Sequence, residues 1–145
     1  MMKRLMNRKA FTLIELAVVM VIIGILVAVL IPTFGMRDKA NISRAKGDIE
    51  GLHAAALGYV SAGRTTFTGV SVETLVSEGH LPANFLGAAS NPWGGDYTVA
   101  ANTDATKVDI AATTVPENAG ADLVRTFNTK SEGAVYATTT FTVTF

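Results

Sequence analysis

Residues 11–34, FTLIELAVVMVIIGILVAVLIPTF, hold a single ionisable side chain, Glu15. A helix over that run is about 36 Å long at 1.5 Å per residue, enough to cross a bilayer core of about 30 Å. A carboxylate at that depth costs on the order of 2.5–3.5 kcal/mol even after snorkelling, so it persists only where something compensates, usually a charge partner. A secretory signal peptide would have a shorter apolar region with a small-x-small cleavage site behind it. Here Pro-Thr-Phe-Gly-Met-Arg follows instead. A plain signal anchor fits the hydropathy equally well but leaves Glu15 without a reason. The bland reading of Glu15 is an acid tolerated near the membrane interface.

Charge gives the run a direction. Net charge is zero over the 145 residues, yet Lys3, Arg4, Arg8 and Lys9 stand in the first ten, which hold no acid. The positive-inside rule puts that basic segment in the cytoplasm and the rest of the chain across the membrane. The remainder is acidic by four charges, so general attraction to nucleic acid or an anionic surface is not expected. There is no cysteine. An exported domain of this size must therefore be held by packing alone, and thiol nucleophiles and Cys-ligated metals are excluded.

Gly24 and Pro32 interrupt the apolar helix, the one by low propensity, the other by lacking a donor and crowding the preceding turn. Both are also common in membrane helices. Beyond Pro32 the helix resumes: Ile42, Ala45, Ile49, Leu52, Ala56 and Tyr59 alternate steps of three and four and share one face. Such a stripe needs a partner surface. It is too short and too rich in Ala for a coiled coil, so a sheet of the same chain is the expected partner. A short helix opens at Val72 with Ser71 as N-cap and Gly79 as its stop. The turn-dense Asn91-Pro92-Trp93-Gly94-Gly95-Asp96 precedes strands over 97–101 and 107–114. A helix runs from Pro116 and Glu117 to Phe127. A last strand covers 134–145, with Val135, Ala137, Phe141, Val143 and Phe145 on one face and mostly Thr on the other. The expected fold class is α+β, a long N-terminal α-helix packed through its second half on a small antiparallel sheet.

A basic leader, then Phe-Thr-Leu-Ile-Glu, then an apolar helix resembles the start of a type IV prepilin, and the resemblance is specific over residues 9–32. It implies three regions: a leader over 1–10, a transmembrane and assembly helix over 11–34, and over 35–145 an amphipathic half-helix with a globular head. It implies cleavage by a prepilin peptidase between Ala10 and Phe11 and N-methylation of Phe11. Position 10 is most often Gly in that family, and Ala is the small residue that stands here. The resemblance further implies that Glu15 pairs with the amino terminus of Phe11 on a neighbouring subunit, and that Gly24 and Pro32 flank a segment losing helicity on assembly. The implied partners are other copies of the chain, the peptidase, an assembly platform and its ATPase, and the inner membrane before assembly. The implied product is an extracellular filament. NPWGGDY is similar to a segment of pseudopilins and of some type IVb pilins, but the cysteine pair usual in type IVb pilins is missing.

No constellation for catalysis stands out. His53 and His80 are far apart in sequence and have no ligand-spaced companions. Asp96, Asp104, Asp109 and Asp122 do not follow a dense oxygen-ligand spacing. Asn41-Ile42-Ser43 is a glycosylation sequon on an expected helix. No nucleophile elbow is present. The expected function is therefore structural, a type IV pilus subunit with no cofactor and no metal. The alternatives are a pseudopilin of a type II secretion system, a minor pilin with a binding task, and an anchored exported domain that never polymerises.

Overall fold

The computed structural model describes the backbone of residues 12–145, and their side chains apart from residues 30–35. The leader, the Ala10–Phe11 bond and the side chain of Pro32 lie outside the described residues. Helix α1 covers Leu13–Ser61, and its backbone is helical at both Gly24 and Pro32. The chain divides into two compact units, Met1–Arg37 and Asp38–Phe145, the second here called the head.

In the first unit the described apolar side chains are exposed on every side of α1, from Leu13 to Val29. Among the described residues no helix is long and apolar enough to cross a membrane. The run expected to do so, 11–34, includes residues outside that description.

In the head, α1 is followed by α2 (Val72–Ser77), a 3-10 turn (Ala83–Phe85), β1 (Tyr97–Ala101), β2 (Val108–Ala112), α3 (Glu117–Phe127), β3 (Gly133–Ala137) and β4 (Thr140–Thr144). The four strands form one antiparallel sheet in the order β1-β2-β4-β3. This is the expected α+β arrangement, a long N-terminal helix on a small antiparallel sheet. The helix stripe behaves as its spacing requires: Ala45, Ile49, Leu52, Ala56 and Tyr59 are buried, with Ile42 packed at their edge. They share a core with Val99, Ile110 and Val143, which lie side by side across three strands. Ser71 caps α2 by accepting the Thr74 N–H at 3.1 Å.

The last strand differs from expectation. Residues 134–145 are not one strand but part of a hairpin, β3 and β4, joined by Thr138 and Thr139. Thr138 takes φ +59°, the left-handed value a tight hairpin needs, and no Gly or Asn advertises it. Reversing the chain there moves Val135 to the outer face, where it is 64 % exposed, while Ala134 opposite Val143 is buried. Ala137 is exposed as well.

Polar links fix the elements around that core. The buried Tyr97 hydroxyl donates to Asp48 Oδ2 at 3.1 Å, tying β1 to α1. Burial, then the Asp48 charge, push the phenol above its usual range. Lys46 pairs with Asp122 on α3 at 2.9 Å, and Lys130 with Glu50 at 2.8 Å. The Tyr136 hydroxyl donates to the Val115 carbonyl at 2.8 Å, and its ring covers Gly120 so closely that a Cβ there would overlap it. Gly120→Ala therefore forces Tyr136 off its site. The expected cost is about 1–3 kcal/mol, the usual range for overpacking, read as a lower urea midpoint at unchanged slope.

Candidate functional site

Glu15 stands in the first turn of α1, and Thr12 immediately precedes that helix. Glu15 Oε2 accepts from the Thr12 N–H at 3.0 Å and from Thr12 Oγ1 at 3.0 Å. In return the Glu15 N–H donates to Thr12 Oγ1 at 3.3 Å. This is a reciprocal capping box, which satisfies two amides that a helix start otherwise leaves open. Thr-x-x-Glu is its sequence signature, and that signal could have singled out Thr12 beside Glu15. Among the described residues the box uses Oε2 alone, and no donor reaches Oε1. It also supplies no positive charge.

Of the other residues singled out, Gly24 lies within α1, and a Cβ built there meets nothing within 4 Å. Packing among the described residues therefore does not demand glycine at that position. Ala10 and Phe11 lie outside the described residues.

Many of the head's titratable groups have structural partners. His53, half-buried, stacks on Phe145 with centroids 4.0 Å apart and planes 10° from parallel. His80 covers Gly58 and stands 3.7 Å from Glu78, which Arg64 grips at 2.7 Å. Asp96 accepts the Ala89 N–H at 2.8 Å. Asp109 accepts from Asn102 at 2.9 Å and from Thr144 Oγ1 at 2.6 Å. Hydrogen bonds from Thr106 hold the Asp104 carboxyl below its usual range, and those from Lys46 and Arg125 do the same for Asp122. Among the described residues no three His, Asp or Glu side chains are placed to hold a metal ion. Asn91, inside NPWGGDY, is buried and carries the turn, a role the motif's likeness to pseudopilins did not specify.

Burial lowers the His53 pKa from the ordinary imidazole value. The folded head thus binds its proton less readily than the unfolded chain. Stability from this group is complete above about pH 6.5 and is lost as pH falls below that through the folded value. Thermal unfolding at pH 7.5 and 5.5 tests it: the acid-induced drop in Tm is expected to be smaller in His53→Phe than in the unchanged chain.

Residues 5–31 match the prokaryotic N-terminal methylation motif. Type II secretion system core protein G of Escherichia coli is 33% identical over 104 residues, covering 64% of this chain and 72% of that protein. The protein of the same name in Vibrio cholerae is 30% identical over 119 residues, covering 75% and 82%. The type IV narrow pilus major component PilA5 of Thermus thermophilus is 62% identical over 37 residues, covering 25% of this chain and 32% of that protein. No solved structure matches the chain. A methylation motif around the acid-bearing apolar helix, an α+β head behind it and relatives that match over 64% and 75% of the chain place it in one family: it belongs to the type IV pilin-like proteins, the pilins and pseudopilins that carry this motif.

Proposed function

We propose that this chain is a structural subunit that polymerises through its N-terminal helix, and that its filament is the pseudopilus of a type II secretion system. Relatives named for that system match over 64% and 75% of the chain, and this supports the finer assignment. The pilus component matches over a short stretch at higher identity, which favours the second reading, a surface pilus. The sequence reading puts the pilus first; the longer coverage of the secretion-system relatives supports putting the pseudopilus first here. Structural rather than catalytic work suits a head most of whose carboxylates, and both of whose histidines, are engaged with its own residues.

In this reading residues 1–10 are a cytoplasmic leader, 11–34 the membrane and assembly helix, and 35–145 the half-helix with the head. A prepilin peptidase cuts between Ala10 and Phe11, and the new amino group of Phe11 is methylated. Glu15 then pairs with that amino group on a neighbouring copy, which explains an acid in an apolar run. Gly24 and Pro32 let the helix between them loosen as it leaves lipid for the filament core. The partners are further copies, the peptidase, and an inner-membrane platform with its ATPase. No nucleic-acid partner is part of this reading: each basic side chain from Arg44 onward is matched to a carboxylate of the head itself.

N-terminal mass spectrometry on sheared surface material and on membranes of the native host tests this. Processed chain beginning at methylated Phe11 and confined to membranes is expected. Abundant processed chain in the sheared fraction would transfer the assignment to a surface pilus. A chain still beginning at Met1 would end both readings.

A further inference from the structure

The head neutralises its cations internally, but two basic residues stand outside that arrangement. Arg37 closes the first unit and Lys39 stands near the start of the second. Both are exposed, and neither is within 4 Å of a carboxylate. Every acid of the chain is among the described residues. Asp38 lies between the two in sequence and leaves the triplet one positive charge.

Their distance along the helix says what can answer that charge. From Leu13, α1 reaches Arg37 after about 36 Å at 1.5 Å per residue, and Lys39 follows two residues later in sequence. A bilayer's hydrocarbon core takes up about 30 Å, and its headgroup layers bring the total to about 40–45 Å. Arg37 and its sequence neighbour Lys39 therefore follow the apolar run at headgroup depth, on the side opposite the basic leader. Excess basic residues normally collect on the cytoplasmic side, so two free cations here oppose that bias. Phosphate oxygens are the negative groups available at that depth.

We propose that Arg37 and Lys39 each bind the phosphate of an anionic lipid headgroup in the leaflet next to the head while the chain is unassembled. This rests on the membrane-inserted precursor proposed above. Each residue acts independently, so each substitution has its own effect. Leaving the bilayer for a filament then requires breaking these contacts.

The test uses the full chain in nanodiscs of equal phosphatidylglycerol and phosphatidylcholine, released and weighed by native mass spectrometry. Phosphatidylglycerol is expected to be retained preferentially. That preference should fall about fivefold in Arg37→Gln, and again in Lys39→Gln. Arg125→Gln, a cation paired with Asp122 within the head, should leave it unchanged. Unchanged retention in both Gln variants would overturn the proposal. So would displacement by inorganic phosphate, which would make the site one for free anions. Variants that keep the lipid but fail to polymerise would assign the pair to carboxylates of a second copy, overturning it too. Protease digestion of the same nanodiscs reports insertion: a chain that never inserts fails the underlying reading, whereas one that inserts without lipid preference fails only this one.

Discussion

Glu15→Leu is expected to insert, to be cleaved and to yield almost no filament. The magnitudes separate two roles for this side chain. Its capping box with Thr12 is worth about 0.5–2 kcal/mol, as helix caps generally are. Holding a carboxylate at membrane depth costs about 2.5–3.5 kcal/mol. The cap alone does not cover that cost, so a positive partner is required, and the amino group of Phe11 on an adjacent copy is the proposed one. Glu15→Gln divides the roles cleanly. Its amide oxygen still accepts from the Thr12 N–H and hydroxyl, so the cap survives, but the charge is gone. Thr12→Val does the reverse, removing the hydroxyl partner while leaving the acid. Filament yield in the sheared or membrane-pelleted polymer fraction should fall about seventyfold in Glu15→Gln, the ratio that a loss of roughly 2.5 kcal/mol gives. Thr12→Val should lose severalfold, in line with a cap. Near-normal polymer from Glu15→Gln would reduce Glu15 to a helix cap and remove the proposed pairing.

What could be read from the sequence follows how local each cause is. The stripe from Ile42 to Tyr59 was legible because helix geometry alone puts those residues on one face. The Ser71 cap and strand β1 were legible for similar reasons, each marked within a few residues. The β3–β4 turn was not, because two threonines at a tight hairpin carry no turn signature, and tertiary pairing with β2 overrides their preference. The error then spread: a missed reversal put Val135 and Ala137 on the wrong face. Thr12 stands at a known cap spacing from Glu15, a local signal beside a membrane cost that is set by contacts outside the segment. The ion pairs of Lys46 with Asp122 and Lys130 with Glu50 join residues about eighty apart, and no local pattern encodes such meetings. At the assembly site the residue types were readable, but their roles belong to contacts that a single chain does not contain.

The turn 91–96 will be the most mutation-sensitive part of the head, and Gly95→Ala should damage it more than Gly94→Ala. The Asn91 amide donates to the Thr113 carbonyl at 2.7 Å, and its Oδ1 accepts the N–H groups of Trp93 and Gly95 at 2.9 and 3.0 Å. Asp96 then pairs with Thr113 through backbone and side chain, at 3.0 and 2.9 Å. The turn is thus seated on the residue just beyond β2, and Gly95 lies against that same residue. A Cβ on Gly95 would land on the Thr113 carbonyl, a backbone group that cannot rotate aside. Gly94 has φ +79° but open space around it. Alanine at Gly94 therefore costs only the left-handed conformation, about 1–2 kcal/mol. Alanine at Gly95 must push the turn off β2 and break the Asn91 contacts with it. Each polar group left buried and unpaired then adds about 1–3 kcal/mol, for an expected loss of at least about 3 kcal/mol. Against a typical total of about 5–15 kcal/mol, that is a large share of the fold's stability. Asn91→Ala should approach the same loss from the other side, since it strands the Thr113 carbonyl and two amides together. Urea unfolding of the three variants orders them, and a Gly95→Ala midpoint at or above that of Gly94→Ala would mean the turn is not seated on Thr113.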